Sequence, residues 1–237
     1  MRNTSFLIFY LFISVSWSNV VDYKILEIRE GLYYKATSDI PYTGEVSGKI
    51  NGKIVNGKKE GEYTKYYESG KILSKANFKK NKLNGKYMEF YNNGNILTVR
   101  KYKNGKLEGE VLNYYSMGQL LSVKYYENGI LNGQYFDYHK NGQLNNKKFY
   151  RKGKLDGESL SFHEYELDQI VQLRVKSVYI NGKLEGEYLE FDEQGKLRGK
   201  GFYIDGRLEG EYSIYDKNSK LLEKRIYKNG SLLEVKN

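Results

Sequence analysis

A repeat of 24 residues constrains the fold of this chain more than any other feature of its sequence. The hexapeptide GKLEGE occurs at 105–110 and 182–187, with GKLDGE at 153–158 and GRLEGE at 206–211. The second glycine of this motif recurs at seven positions, namely Gly61, Gly85, Gly109, Gly133, Gly157, Gly186 and Gly210. Successive glycines are 24 residues apart, except for one interval of 29. A fixed period of this length predicts an array of one structural unit whose neighbours bury a shared core.

Two aromatic positions repeat together with this glycine in all seven units. The first comprises Tyr66, Phe90, Tyr114, Tyr138, Phe162, Phe191 and Tyr215, and the second comprises Phe78, Tyr102, Tyr126, Tyr150, Tyr179, Tyr203 and Tyr227. Turn dipeptides such as Asn93-Gly94 divide each unit, and others such as Asn104-Gly105 close it. Asn-Gly favours a type I′ turn, because both central residues of that turn need positive φ. Each unit is therefore predicted to be one β-hairpin.

The predicted fold is all-β, an elongated single-layer twisted antiparallel sheet of tandem 24-residue β-hairpins. The composition agrees, since the chain holds 25 Tyr and 25 Gly but 1 Pro, a mixture typical of short strands and tight turns. Seven hairpins supply about 14 strands, which at roughly 4.8 Å per strand extend over about 67 Å. The columns of Tyr66 and Tyr102 type are expected to form one aromatic spine, in which each ring contacts its equivalents in adjoining hairpins.

The N-terminus has the pattern of a secretory signal peptide, assigned to residues 1–18. Arg2 precedes an apolar run at 6–15, and Ser16-Trp17-Ser18 places small residues where a signal peptidase cleaves. The alternative is an uncleaved anchor, although the run is shorter than the roughly 20 apolar residues of a membrane span. Cleavage near Ser18 predicts an exported protein of the periplasm or the cell surface.

The remaining chain divides into a repeat sheet and two terminal segments. Residues 19–43 do not fit the repeat and are expected to form an N-terminal cap. Residues 44–237 form the sheet, as a partial unit (44–56), seven units (57–229) and a C-terminal cap (230–237). The caps are expected to protect the exposed sheet edges. The unit of 29 residues is expected to carry a longer hairpin loop around 164–169.

The residues that commonly carry chemistry occur here periodically, which favours a non-enzymatic protein. His139 and His163 occupy one repeat column. They form either a two-His metal site or a ladder position that other units fill with Tyr. Acids flank the second glycine in five units, as at Glu108 and Glu110. A glycosidase needs a single pair, so five pairs favour a ladder of solvated opposite charges. No catalytic residue, metal or cofactor is expected.

Tyrosine and positive charge define the expected partners. Without residues 1–18 the chain keeps 29 acids and all but one of its 39 Lys and Arg. A Tyr-rich sheet face offers a large, stiff contact area. We therefore expect five exposed tyrosines to bind a protein partner, namely Tyr63, Tyr67, Tyr87, Tyr91 and Tyr115. The alternative is an anionic lipid or glycan of the envelope surface. Interleaved Tyr and Lys can also bind nucleic acid, but export argues against such a partner.

The pattern N-G-K-L-x-G-x-Y-x-x-Y-x-x-N-G-x-L resembles the MORN-variant repeat (MORN type 2), and 105–126 and 182–203 match it best. The segment PYTGEV at 41–46 is similar to the start of exported bacterial members, often described as YwqK-like antitoxin proteins. The resemblance covers about residues 40–237. It implies a hairpin-repeat fold and a binding role that is antitoxin-like or immunity-like, with a toxin-like protein as the partner, and it implies no catalytic residues. Tyr63 and Tyr87 stand where eukaryotic MORN repeats usually have Gly, so their lipid binding is not carried over.

Overall fold

The computed structural model describes residues 20–165 and 171–236. Within these ranges the chain forms 24 strands and one short 3-10 helix, η1 (Tyr23–Ile25). The predicted signal peptide and most of the predicted loop at 164–169 lie outside the described residues. In the part of the chain that is described, no helix is long and apolar enough to cross a membrane.

The strands follow one another in short hairpins along the whole chain. In the first half they are β1 (Val20–Asp22), β2 (Leu26–Arg29), β3 (Leu32–Lys35), β4 (Gly44–Ser47), β5 (Ile50–Val55), β6 (Lys58–Tyr66), β7 (Ile72–Lys79), β8 (Lys82–Phe90), β9 (Ile96–Lys103), β10 (Lys106–Leu107), β11 (Gly109–Tyr114) and β12 (Leu120–Glu127). In the second half they are β13 (Ile130–Tyr138), β14 (Leu144–Arg151), β15 (Lys154–Leu155), β16 (Gly157–Phe162), β17 (Leu173–Ile180), β18 (Lys183–Leu184), β19 (Gly186–Phe191), β20 (Leu197–Ile204), β21 (Arg207–Leu208), β22 (Gly210–Tyr215), β23 (Leu221–Lys228) and β24 (Ser231–Lys236).

One long sheet contains 22 of these strands, and strands adjacent in the chain are adjacent in the sheet. β1 pairs in parallel with β4 at one end, and the other pairings between described strands are antiparallel. β24 is the edge strand at the far end. The predicted fold class is therefore confirmed: the protein is all-β, with hairpin repeats in one long, mostly antiparallel sheet that is not closed.

The seven units contribute two strands each, and a bulge at the second glycine divides the first strand in four of them. Leu107 pairs with Tyr102 on one side of this bulge, and Leu112 pairs with Val99 on the other, so the bulged strand carries two extra residues. Gly109 has φ +80° there, a conformation that glycine adopts without strain. The most regular glycine of the sequence therefore lies inside a strand and not in a turn.

Two-residue turns form one edge of the sheet, which we call the short-turn edge. They lie at 56–57, 80–81, 104–105, 128–129, 152–153, 181–182, 205–206 and 229–230. Both central residues have positive φ, as at Asn104 (51°) and Gly105 (84°). The predicted type I′ geometry is confirmed at this edge.

Three-residue loops form the opposite edge, the long-turn edge, and here the predicted type I′ turn is wrong. In the loop at 92–94 only the glycine has positive φ. The Tyr91 amide donates to the Asn95 carbonyl (2.8 Å), and the Gly94 amide donates to the Tyr91 carbonyl (2.8 Å). This is a type I turn followed by a left-handed glycine. The dipeptide Asn-Gly fits both loops, because either geometry needs a left-handed residue at its second position.

A small core lies at the N-terminal end of the sheet, where the hairpin of β2 and β3 packs against it. Tyr33 is buried there with Tyr42, Val46, Ile54 and Tyr63. The segment 19–43 therefore does more than protect an edge strand, since it covers the first hairpins. At the other end, every residue of β24 is exposed, so this segment extends the sheet and leaves its last edge open.

Candidate binding surfaces

One face of the sheet, the ring face, carries pairs of aromatic rings within single hairpins. Four of the pairs are edge-to-face, with ring centroids 5.1–6.0 Å apart. They are Tyr63–Phe78, Tyr87–Tyr102, Tyr135–Tyr150 and Tyr188–Tyr203. The predicted spine of the Tyr66 and Tyr102 columns is wrong, because the partner of the Tyr102 column is the Tyr87 column.

The strand register explains this pairing. Gly85 lies directly opposite Tyr102 and has no side chain to fill the space, so the ring of Tyr102 leans toward Tyr87, two residues along the partner strand. Phe90, of the Tyr66 column, has the opposite parity to Tyr87 and lies opposite Ile96 on the other face. The two columns named in the prediction are therefore on different faces.

Tyr63 and Tyr87, two of the five predicted binding residues, are held within the ring face. Tyr63 is 5% exposed, and its hydroxyl donates to the Lys53 carbonyl (2.5 Å). Tyr87 is half-buried, with its hydroxyl 3.3 Å from a Glu89 carboxylate oxygen. Burial, the largest cause in both, raises the pKa of each phenol. The expected exposure of these two rings is wrong.

Tyr67, Tyr91 and Tyr115, the other three predicted binding residues, form a hydrogen-bonded ladder between units. Each hydroxyl donates to the carbonyl of the Tyr66-type residue in the next unit, at 2.6, 2.8 and 2.9 Å respectively. All three rings are half-buried. These residues connect neighbouring hairpins, so the expectation that they are exposed is also wrong. Whether any of the five contacts a partner stays a prediction.

His163 continues this ladder, whereas His139, in the same column, has an acidic partner. His163 Nε2 lies 2.9 Å from the Phe191 carbonyl oxygen, the equivalent of the Tyr91 contact. His139 Nδ1 lies 3.4 Å from a Glu164 carboxylate oxygen. Within residues 20–165 and 171–236, no group of three or more His, Cys, Asp or Glu is arranged to hold a metal ion. The contact of His163 thus supports the ladder interpretation for that residue.

The acids on either side of the second glycine have separate partners. In four units the first acid accepts a hydrogen bond from the first amide of the short turn that closes the unit, as Glu108 does from Asn128 (3.0 Å) and Glu209 from Asn229 (2.7 Å). The second forms cross-strand ion pairs on the face opposite the ring face, as Glu187 does with Lys200 (2.7 Å). The expected ladder of opposite charges is therefore present for the second acid of three units, and among the first acids Asp156 pairs with Arg151 (3.2 Å).

We call this second face the ion-pair face, and it presents exposed rings. Phe149 is 38% exposed and Phe202 is 48% exposed. Phe202 lies opposite Glu187, beside the pair that Glu187 forms with Lys200. Such a mixture of exposed rings and charged neighbours is typical of protein-binding surfaces.

Four aromatic rings form a cage around Lys59 at the N-terminal end of the sheet. Its Nζ lies 5.1–5.6 Å from the ring centroids of Tyr23, Tyr33, Tyr63 and Phe78. Two of these rings belong to the N-terminal segment and two to the first unit. The cation therefore joins the segment to the sheet. The sequence signal for this site is a Lys in a column that holds Leu in the other six units.

The family model of the MORN repeat variant matches residues 59–80, 83–104, 184–205 and 208–229. Four units thus match the MORN repeat variant. Each matched segment runs from the bulged strand of one hairpin to the short turn that closes it. No curated protein matches the chain. The MORN match supports a repeat scaffold. It provides no support for the finer resemblance to antitoxin proteins.

Proposed function

We propose that this protein is an exported, non-enzymatic scaffold that binds another protein through its ion-pair face, with an antitoxin-like or immunity-like role. The observation that carries the proposal is the exposure of Phe149 and Phe202 on an open sheet face. Rings of this kind lose little conformational entropy on binding, so they make effective interface anchors.

The geometry of the face supports a flat protein partner. Phe149 and Phe202 lie two hairpins apart, which corresponds to four strand spacings or roughly 19 Å. Val178 occupies the same column between them, and Glu158 pairs with Lys176 (3.1 Å) beside it. A surface of this length with an apolar centre and a charged rim suits a specific interface.

The proposal is tested by a crosslinking pull-down with residues 19–237 from the native cell envelope. The double variant Phe149→Asn with Phe202→Asn removes both rings, and Asn already stands at the equivalent position, Asn77. Met117→Ser is the matched control, because Met117 is 80% exposed on the long-turn edge. We expect one enriched protein, lost in the double variant and kept in the control. Equal recovery with all three proteins would refute the role of this face.

A second candidate role is binding to an anionic lipid or glycan of the envelope surface. The observation that favours it is the excess of 39 Lys and Arg over 29 Asp and Glu. Such binding weakens steeply with salt. Sedimentation with anionic vesicles at low and high ionic strength tests it, and no sedimentation at low salt would eliminate the lipid form of this role.

A further inference from the structure

The positive charge of the protein is concentrated along the short-turn edge. Twelve exposed cations occupy or flank its turns: Lys58, Lys79, Lys80, Lys82, Lys103, Lys106, Arg151, Lys152, Lys154, Lys183, Arg207 and Lys228. At the same positions stand two acids, Glu127 and Asp205. The described loops of the long-turn edge are nearly balanced, with six Lys against five acids. The two edges of the sheet therefore differ in charge.

The nearby carboxylates are turned toward the backbone and leave most of these cations unpaired. Glu60, Glu108, Glu185 and Glu209 each accept a hydrogen bond from an amide of the short turn that closes their unit. Asp156 forms an ion pair with Arg151 (3.2 Å), and Asp205, one of the two acids counted above, forms one with Lys183. With all five carboxylates counted, the cations of this edge still exceed its acids by five. The edge is thus attractive to an anionic partner.

The short turns form a continuous ridge, because the glycine of each turn is bonded to the strand that follows the previous short turn. The Gly105 amide donates to the Leu83 carbonyl (2.7 Å), and the Gly129 amide donates to the Leu107 carbonyl (2.8 Å). The same bond recurs at the later turns, including Gly182 to Leu155 (2.7 Å). Successive turns are separated by two strands, or roughly 9.6 Å. The cations therefore form a regular row on a hydrogen-bonded backbone.

Aliphatic side chains interrupt the row in its C-terminal half. Ile130, Ile180 and Ile204 flank short turns, and each is about half exposed. A groove between the turns at 152–153 and 181–182 is lined by Arg151, Lys152, Lys154, Asp156, Ile180 and Asn181. The groove thus presents cations and an aliphatic group side by side.

We propose that the short-turn edge binds an extended polypeptide segment that combines acidic and aliphatic side chains. The segment runs along the ridge, across the ends of the hairpins. In the polyproline II conformation a chain rises about 3.1 Å per residue with three residues per turn, so three residues span about 9.3 Å, close to the roughly 9.6 Å between short turns. Every third residue then lies on the same side of the segment and can place a carboxylate at the cations of successive turns, and an aliphatic neighbour meets the exposed Ile. The inference rests on the proposed role as a protein-binding scaffold and names the chemistry of a partner segment.

The probe is a fluorescein-labelled peptide of Glu-Leu-Ser repeats, about 15 residues long so that it passes five turns. Its binding to residues 19–237 is followed by fluorescence anisotropy. We expect saturable binding that weakens with salt. Loss of binding is expected when Gln replaces every Glu, and weaker binding is expected when Ser replaces every Leu. Equal binding of the Gln peptide, or of the peptide without Leu, would overturn the proposal.

Matched variants locate the site on the molecule. The triple variant Lys152→Asn, Lys154→Ser and Lys183→Ser uses residues found at equivalent positions of other short turns. The control, Lys71→Gln, Lys196→Gln and Lys220→Gln, removes three charges from the long-turn edge. Three exposed charge pairs predict a Kd about tenfold higher for the first triple variant only. Equal Kd values for the two triple variants would contradict the assignment to the short-turn edge.

Two further outcomes separate this inference from its rivals. Vesicles with anionic lipid that bind the protein through the same three Lys, without any peptide binding, would assign the edge to a lipid surface. If the double variant Phe149→Asn with Phe202→Asn no longer captures the natural partner but binds the peptide with unchanged Kd, the result supports a separate peptide site at the short-turn edge. The reverse pattern, capture of the partner without peptide binding, would refute the edge proposal and keep the scaffold role.

Discussion

The cage around Lys59 predicts a local stability that depends on one cation. In Lys59→Met the side chain keeps its length and apolar stem but loses the charge. A cation over one exposed ring contributes on the order of 0.5–1 kcal/mol, and four rings that share one half-buried cation contribute about 2 kcal/mol together. The N-terminal segment supplies Tyr23 and Tyr33 to the cage. We therefore expect this segment to open more easily in the variant.

Native-state hydrogen exchange at the Tyr33 amide measures this opening. That amide donates to the Gly57 carbonyl (2.9 Å), so it exchanges when the segment leaves the sheet. A loss of about 2 kcal/mol corresponds to roughly 30-fold faster exchange. Lys124→Met is the matched control, because Lys124 is half-buried and its Nζ lies 5.4 Å from the centroid of one ring, that of Tyr135.

In the control variant, the exchange rate of the Tyr33 amide should stay unchanged. Hydrogen exchange near Tyr135 should become faster by less than tenfold. An unchanged rate at Tyr33 in Lys59→Met would refute the reasoning. Rescue by Lys59→Arg would show that charge, and not shape, fastens the segment.

The other predictions concern burial, backbone strain and pH. Tyr114→Ala, in the middle of the array, should cost about 3 kcal/mol in urea unfolding, and Tyr215→Ala, near its end, should cost clearly less; equal costs would contradict a linear stack. Gly133→Ala should cost about 1–3 kcal/mol, because φ is +123° and the added Cβ would lie 3.0 Å from a neighbouring Tyr side chain. Gly70→Asn, at a turn with φ +80° and open space around it, should cost below about 1 kcal/mol. Burial, the largest cause, and nearby Glu190 raise the pKa of Tyr212 to about 12. The contribution of Tyr212 to the free energy of unfolding is therefore complete below the unfolded pKa of about 10 and is lost as pH rises toward 12. In Tyr212→Phe, the urea concentration at the unfolding midpoint should fall less steeply with pH in that range.

The hairpin unit follows from the sequence because glycine and aromatic residues keep one spacing over seven copies. Glycine spacing alone does not say whether a glycine lies in a turn or in a bulge, since both need positive φ. Gly85 illustrates the difficulty, because its role depends on the register that places it opposite Tyr102. That register becomes available only after the long-turn loop at 92–94, which joins the two strands, is known to contain three residues.

The binding surfaces were harder to predict because exposure depends on contacts between units. Tyr91 looks like a surface tyrosine in the sequence, yet its hydroxyl reaches the Tyr114 carbonyl of the next hairpin. Glu108 looks like half of a charge ladder, yet it accepts the Asn128 amide 20 residues later. Both contacts join residues that are distant in sequence and adjacent in the stack. The columns were visible in the sequence, whereas their hydrogen-bond partners were not.

The unit of 29 residues shows where a single unit of the array can be lengthened. Its five extra residues fall between Phe162 and Leu173, on the long-turn edge, while the flanking strands keep the pairing seen in the other units. The Gly182 amide still donates to the Leu155 carbonyl on the opposite edge. The long loops are thus the natural sites for grafting foreign sequence, such as an epitope or a reporter peptide. An insertion at a short turn would instead break the bonds that carry one hairpin to the next.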